Sequence, residues 1–236
     1  MTTLPAEIVE NAPYKPPRRR LRLPLALRMF LVIAGFGWGW GILCGCRQLA
    51  TIREIQELGG DFRQTRLGPD WLREIIGHYP WPMFDHVKFV HLGRTQATDA
   101  TLEHVCTLRA LEALWLDGTQ VTDSGLPHIR GQTELEALWL DGTQVTDTGL
   151  QNLQGLAALK RLSLSNTQVT DAGLQRLRGL TALEDLMLDS TLVTDVGIQH
   201  LRGHTALKRL WLAHTRVTDA GVADLQRKLP GLSIVY

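Results

Sequence analysis

Tryptophan and aspartate residues that recur 24 positions apart are the side chains in this sequence best suited to binding a partner. Trp115 and Trp139 occupy the same place in two copies of the segment LEALWLDGTQVTD, with Asp117 and Asp141 two residues after them. Neighbouring strands lie about 4.8 Å apart, so strands formed by these segments would hold the two indole rings side by side in solvent. Exposed adjacent rings rimmed by carboxylates favour a partner with apolar and cationic groups. The alternative is that recent duplication copied both tryptophans without any selection for binding.

Three columns of side chains, each with one residue from every 24-residue unit, are predicted to point outward from the strands. The first is Phe89, Ala113, Ala137, Arg161, Asp185 and Arg209. The second is His91, Trp115, Trp139, Ser163, Met187 and Trp211, and the third is Gly93, Asp117, Asp141, Ser165, Asp189 and Ala213. Stacked-repeat proteins bind partners through such positions. The predicted partner-binding residues are Trp115, Trp139, Asp117, Asp141, Met187, Asp189, Trp211, Arg161 and Arg209.

No combination of residues points to catalysis or to a metal site. His200 and His204 are four residues apart, but Gly203 lies between them and no acidic residue completes a zinc site. Ser163 and Ser165 lack a histidine and an acid arranged as a triad, and there is no glycine-rich phosphate loop. The 25 lysines and arginines nearly balance the 24 aspartates and glutamates, which excludes a general positive field for nucleic acid. We therefore expect a protein that is not an enzyme, with no catalytic residue, metal or cofactor.

The repeating unit itself predicts the fold. The frame L-x-x-L-x-L-x-x-T-x-V-T-D-x-G-L-x-x-L begins at Val87, Leu111, Leu135, Leu159, Leu183 and Leu207. Alternating leucines predict a short strand, and the Gly-Leu-x-x-Leu part predicts a helix, so the units would stack in parallel and bury their leucines against one another. Recurring residues such as Thr119, Thr122 and Asp123 are expected to bond the loop backbone and cap the helix start.

Two units depart from this frame. In the other units a glycine, such as Gly125, suits tight packing at the helix start, but the first unit has Thr101 in that position. In the last unit one residue is added between Leu225 and Leu232, before a closing strand at Leu232–Tyr236.

The N-terminal part of the chain predicts a membrane anchor. Residues 29–46 contain no charged residue and would span about 27 Å as a helix, close to the thickness of a hydrocarbon core. Residues 1–28 are predicted to be a disordered, basic cytoplasmic tail. The positive-inside rule then places residues beyond Arg47 outside the cytoplasm, at the cell membrane.

Alternatives to a retained anchor remain open in the sequence. A cleaved signal also has basic residues before an apolar run, and Leu43-Cys44-Gly45-Cys46 resembles a lipobox in which Cys46 would carry lipid. Spacing by four residues would allow a homodimer through Gly37, Gly41 and Gly45. Three cysteines are too few for a disulfide framework, and Cys106 is expected to be a small buried apolar residue.

Residues 47–83 are predicted to be a juxtamembrane helix and N-terminal cap, and residues 84–236 the repeat domain. A helix over 47–58 would place Leu49, Ile52 and Ile55 on one face and end at Gly59. A second short helix is predicted over Pro69–Ile76. A stack of repeats needs such a cap because its first core face is otherwise exposed.

Residues 84–236 resemble leucine-rich repeat proteins of the subclass first noted in F-box substrate adaptors. Residues 20–236 are similar to bacterial membrane-anchored proteins that combine a basic lead, one transmembrane helix, the segment Ile55-Gln56-Glu57-Leu58-Gly59-Gly60 and a T-x-V-T-D-x-G-L array. The resemblance implies an α/β solenoid facing the cell envelope, with parallel strands on its concave face and helices on its convex face. The expected function is protein-protein interaction through the concave face. The alternatives are a glycan-binding or wall-anchoring module, and a lipoprotein of the same fold.

Overall fold

The computed structural model describes residues 48–66, 85–108 and 110–236. The predicted tail at 1–28, the predicted membrane helix at 29–46 and the predicted helix Pro69–Ile76 lie outside these residues. Among the described helices, none is both long enough and apolar enough to span a bilayer.

The described strands form one eight-stranded sheet in which the strands follow chain order. They are β1 (Asp61–Arg66), β2 (Asp85–His91), β3 (Ala113–Trp115), β4 (Ala137–Trp139), β5 (Arg161–Ser163), β6 (Asp185–Met187), β7 (Arg209–Trp211) and β8 (Ser233–Val235). Strands β2 to β8 pair in parallel with their neighbours, and β1 pairs antiparallel with β2. The predicted parallel stacking of 24-residue units is therefore confirmed.

Short helices follow the strands. The α-helical segments are α1 (residues 48–57), α2 (Asp99–Val105), α3 (Asp147–Leu150), α4 (Asp171–Arg176), α5 (Asp195–Ile198) and α6 (Asp219–Lys228). The 3₁₀ segments are Leu126–Gly131, Gln151–Leu153, Leu177–Gly179 and Gln199–Gly203. Helices α3, α4 and α5 continue directly as 3₁₀-helix, and the second unit has 3₁₀-helix alone. In a 3₁₀-helix residues three apart lie directly above one another. This geometry suits the Gly-Leu-x-x-Leu spacing, and the residue added in the last unit accompanies its longer helix, α6.

Leucines from strand and helix meet in one continuous core. The central strand positions Leu114, Leu138, Leu162, Leu186 and Leu210 have no exposed surface. Each fully buried leucine stabilises the fold by about 1.5–3 kcal/mol. One unit cannot enclose its own leucines, so this stabilisation is available only when neighbouring units stack.

Six threonines bond the loop that follows each strand. Each hydroxyl donates to the carbonyl of the leucine three residues earlier, over 2.6–2.7 Å. The donors are Thr95, Thr119, Thr143, Thr167, Thr191 and Thr215. The predicted loop-bonding role of this column is confirmed.

Aspartate and threonine form a second ladder, which joins successive repeats. Asp147 accepts the Thr170 N–H at 2.8 Å and the Thr170 hydroxyl at 2.6 Å. Thr170 in turn accepts the N–H of Ala172 at the start of α4, which is the predicted capping role. The same two hydrogen bonds join four more pairs: Asp99 with Thr122, Asp123 with Thr146, Asp171 with Thr194, and Asp195 with Thr218. Aspartate was predicted to cap the helix of its own unit. Its carboxylate instead accepts hydrogen bonds from the threonine 23 residues later, in the next unit.

The glycine column exists because of these carboxylates. A Cβ atom at Gly173 would lie 2.3 Å from Oδ1 of Asp147, and one at Gly221 would lie 2.2 Å from Oδ1 of Asp195. A methyl group cannot occupy that space without displacing the carboxylate from the threonine.

The two end units depart from the ladder. In the first unit the glycine position holds Thr101, and among the described residues Asp99 is the first carboxylate of the ladder. Thr101 fits there and accepts the Thr98 N–H in a capping box. At the other end Asp219 lies beside Tyr236, and its charge raises the pKa of that phenol.

The N-terminal cap contains one predicted and one unpredicted element. Helix α1 ends at Gly59, whose φ of 78° suits glycine, and its Ile55 is fully buried in the core. Glu54 bonds His104 of α2 at 2.6 Å, which ties the cap to the first unit. Strand β1 was not predicted, because DFRQTR has no apolar alternation; it is stabilised by backbone pairing with the edge of β2.

Asp147→Ala should destabilise the repeat array, because the N–H and hydroxyl of Thr170 both lose their acceptor. We expect the free energy of unfolding to fall by about 1–3 kcal/mol, measured by urea unfolding of the full chain in detergent micelles. Thr148→Ala, at an exposed neighbouring position, is the control and should change it by less than about 0.5 kcal/mol. Equal losses in the two variants would contradict the structural role of the ladder.

Gly221→Ala and Asp195→Ala should be energetically coupled. In the native chain the added methyl group meets the Asp195 carboxylate, and we expect a loss of about 1–3 kcal/mol, as for other overpacked sites. In the Asp195→Ala background the carboxylate is absent and only the Cβ of residue 195 remains, 3.0 Å from the added methyl group. The better helix propensity of alanine, about 0.5–1 kcal/mol, should then make the same change less costly. Urea unfolding of the four chains tests this, and simple additivity would contradict the close contact.

Candidate binding site

The outward columns lie where the sequence placed them. Strand pairing aligns Phe89, Ala113, Ala137, Arg161, Asp185 and Arg209 in one row, and His91, Trp115, Trp139, Ser163, Met187 and Trp211 in another. We call the sheet face formed by these two rows the outer face. Outward direction does not ensure exposure, however: Ala113, Ala137, Ser163 and Asp185 are each less than 5% exposed.

A stack of planar groups runs across the first half of the outer face. The rings of Trp115 and Trp139 have centroids 4.6 Å apart and planes 9° apart. His91 stacks on the other side of Trp115, with centroids 5.8 Å apart, and the guanidinium carbon of Arg161 lies 6.0 Å from the Trp139 centroid. The structure thus extends the predicted tryptophan pair to four stacked groups on four neighbouring strands.

This stacking changes which parts of the indole rings can meet a partner. Trp115 lies between two aromatic rings, and Trp139 lies between Trp115 and the cation of Arg161. The partly exposed rings therefore offer mainly their edges, which carry the positive end of the ring quadrupole. A cation needs a ring face, so the expected preference for a cationic partner loses its cation–π basis.

The aspartates of the third column bond the fold itself. Asp141 accepts the hydroxyl of Ser163 and, at 3.1 Å, the N–H of Ser165. Asp189 accepts the N–H of Ala213 at 2.8 Å. These bonds join neighbouring units, so the two carboxylates are less available to a partner than the sequence analysis expected.

Asp117 has a different environment. A Cβ atom on Gly93 would lie 2.3 Å from its Oδ1, so the carboxylate rests on that glycine. Its other oxygen is 4.0 Å from Nε of Arg94, an exposed side chain.

Arg209 and Asp185 form a bidentate pair in the second half of the outer face. Nε of Arg209 donates to Oδ1 of Asp185 at 2.6 Å, and a terminal nitrogen of Arg209 donates to Oδ2. The hydrogen bond to Asp185 raises the pKa of Arg209. Arg209 also lies 5.5 Å from the centroid of the Trp211 ring. The charge of Arg209 is therefore already paired within the fold, although this residue was predicted to bind a partner. Met187, another predicted binding residue, lies partly exposed beside the pair.

A cleft of 340 Å³ opens beside the stack, at the N-terminal end of the outer face. It is lined by Asp61, Phe62, Arg63, Phe89, His91 and Trp115. Asp61 and Arg63 come from β1, which the sequence analysis did not predict, and they pair with His91 and Phe89 of β2. The outward columns contained Phe89 and His91, but no repeat signal pointed to β1.

The remaining sequence candidates do not form a reactive site. His200 bonds Arg178 at 2.8 Å, while His204 is buried and bonds the carbonyl of Leu177 at 3.0 Å, so the two imidazoles have separate structural partners. No cluster of three or more histidine, cysteine, aspartate or glutamate side chains suited to a metal occurs among the described residues. Burial raises the pKa of Cys106 to about 12, so its thiol stays protonated at neutral pH.

Comparisons with known proteins point to the same repeat. Residues 157–177 match the family model described as Leucine Rich repeat. Two similar solved structures are internalins of Listeria monocytogenes. The internalin inlF is 22% identical with a TM-score of 0.49, and the match covers 56% of this chain and 36% of that one. Internalin C2 is 25% identical with a TM-score of 0.49, and the match covers 63% of this chain and 70% of that one. This chain thus spans about a third of the first internalin. No curated protein matches the sequence significantly. The matched repeat at residues 157–177 and the parallel strand-and-helix units of the described residues both support a leucine-rich repeat fold.

Proposed function

We propose that this chain is a non-catalytic module that binds another protein through the outer face of its sheet, the predicted concave surface of the solenoid. The observation that carries the proposal is the partly exposed stack of His91, Trp115, Trp139 and Arg161. Tryptophan and arginine are enriched among the residues that dominate protein-protein binding. Mutual stacking also holds these side chains in place before a partner arrives, which lowers the entropic cost of binding.

The stack favours a protein over a glycan. A sugar ring that binds tryptophan lies against the face of the indole, and both faces of Trp115 are covered by other rings. Ring edges and indole N–H groups instead suit the carbonyl and side-chain acceptors of a polypeptide. The non-catalytic role is supported by the recurring threonines and aspartates, whose polar atoms bond the scaffold.

We also propose that residues 29–46 tether the module to the cell membrane, with residues 1–28 in the cytoplasm and the repeats outside it. The support is the uncharged 18-residue run between Arg28 and Arg47 and the basic residues before it. The resemblance to bacterial membrane-anchored proteins of the F-box-like repeat subclass agrees with this arrangement. Lipidation of Cys46 and a homodimer through Gly37, Gly41 and Gly45 are subsidiary hypotheses.

Replacing Trp115 and Trp139 together by alanine should abolish capture of protein partners from an envelope extract, because the stack loses both indole rings. Bound proteins would be identified by mass spectrometry after crosslinking to the full chain. We expect at least a tenfold loss of the proteins captured by the native chain, in line with the effect of removing central aromatic residues from an interface.

The matched control replaces Gln144 and Gln168, two exposed residues at equivalent positions of neighbouring units, by alanine. This variant should capture the same proteins as the native chain. Undiminished capture by the tryptophan variant, with its circular dichroism unchanged, would refute the site. Native-level binding to isolated wall polymer without any captured protein would favour the glycan alternative.

The membrane proposal predicts opposite locations for the two ends of the chain. An alkaline phosphatase fusion after Tyr236 should be active and a fluorescent-protein fusion before Met1 should fluoresce in bacterial cells, because the first requires export and the second the cytoplasm. Replacing residues 29–46 by a polar linker should remove the phosphatase activity. An inactive C-terminal phosphatase on the unaltered chain would contradict the proposed orientation. If the chain incorporates a labelled fatty acid and Cys46→Ser prevents this, a lipid anchor at Cys46 is the tether in place of a retained membrane helix.

A further inference from the structure

We propose that Arg161 is the carboxylate-binding residue of the outer face, and that the partner brings an acidic group to it beside the edges of Trp115 and Trp139. This inference rests on the proposed protein-binding function and deepens it. It also reverses the charge preference expected from the sequence, in which aspartates and ring faces favoured a cationic partner.

Two arginines of one outward column differ in whether they pair with an acid. Arg161 and Arg209 flank Asp185, on the strands before and after it. Both oxygens of Asp185 are taken by Arg209, one by Nε and one by a terminal nitrogen. Arg161 is exposed and forms no ion pair with an acid among the described residues. The Asp185 carboxylate is therefore paired with Arg209 alone of these two arginines, and Arg161 is left uncompensated.

The neighbouring charges do not fill this role. Lys160, the residue before Arg161, bonds Glu136 at 2.8 Å. Asp141, in the third column, accepts bonds from Ser163 and Ser165. No acid among the described residues lies within ion-pair distance of Arg161, so a carboxylate bound by its guanidinium would come from another molecule.

Trp139 positions the guanidinium of Arg161. The Arg161 Cζ lies 6.0 Å from the ring centroid, within the range of a cation–π contact. Such a contact restricts a flexible side chain and leaves the N–H donors at the edge of the guanidinium free. A planar guanidinium matches a carboxylate with two parallel hydrogen bonds, which a lysine cannot do.

The tryptophan edges favour a particular chemistry in the part of the partner that lies next to its carboxylate. The stack continues from Arg161 through Trp139 and Trp115, whose partly exposed edges lie next to the guanidinium. Ring edges attract electron-rich groups, so they reinforce the preference for an acceptor set by the arginine. The fitted ligand is thus a protein segment that carries an aspartate, a glutamate or a terminal carboxylate.

Selection from random peptide libraries tests this without a known partner. The full native chain, in detergent micelles, selects from two libraries of 12-residue peptides, one with free C termini and one with C termini fused to the display scaffold. We expect acidic residues to be enriched above the starting libraries. Binders from the fused library that are enriched in acidic residues identify a side-chain carboxylate. Binders recovered only from the free library, whose affinity is lost when their C terminus is amidated, identify a terminal one.

Affinities of the selected peptides are then measured for four variants. Arg161→Gln should weaken binding at least tenfold, and Arg161→Lys should restore part of it by keeping the charge without the planar fork. Arg216→Gln, at an exposed arginine outside the outer face, is the matched control and should bind like the native chain. Trp115→Ala with Trp139→Ala reports whether the peptides use the proposed face at all.

The outcomes separate the two proposals. Peptides that need both tryptophans but have neither acidic enrichment nor a required free C terminus, or that bind Arg161→Gln as tightly as the native chain, would overturn the role of Arg161 and leave the protein-binding face intact. Selected peptides that bind the tryptophan variant unchanged, or no selected peptide at all, would overturn both. Equal thermal unfolding of the Arg161 variants and the native chain is required for the comparison.

Discussion

Successive repeats are held in register by a carboxylate in one unit that accepts two hydrogen bonds from a threonine in the next. The leucine core alone is not directional, and apolar contact would tolerate small displacements of one unit against another. The ladder removes that freedom, because Asp147 must meet both the N–H and the hydroxyl of Thr170. The same constraint requires glycine at the helix start, where a methyl group would strike the carboxylate.

This fixed register has a consequence for the outer face of the sheet. Equivalent residues lie directly beside one another at about the strand spacing, so the chemistry of the face is set by which side chains follow each other in a column. Two tryptophans in succession become a stacked pair, with ring centroids 4.6 Å apart. Scaffold and binding are thereby separated within each repeat. The threonine and aspartate positions keep one residue type, the glycine position does so in every unit after the first, and the outward positions vary.

The same adjacency pairs several of the charges. Lys88 bonds Glu112, Lys160 bonds Glu136, and Lys208 bonds Glu184, each across one repeat. Asp185 and Arg209 follow the same rule within the outer face. Ion pairs at the surface contribute little to stability, but they cancel local fields. In the outward row that holds both arginines, Arg209 has such a partner, whereas Arg161 lies beside Trp139 without one.

The sequence by itself determined the repeat, the parallel order of the strands and the row in which each outward residue lies, because a period of 24 residues with alternating leucines encodes direction and register. It also determined the role of the threonine column, since a hydroxyl three residues from a carbonyl bonds locally. Only the tertiary structure decided that Asp147 binds Thr170, that β1 covers the edge of β2, that Asp185 is buried by Arg209, and that the faces of Trp115 are closed. Each of these depends on contacts between different units, or between the cap and the first unit. A periodic sequence places residues in the same column, but the packing of their side chains decides which of them pair and which remain open to a partner.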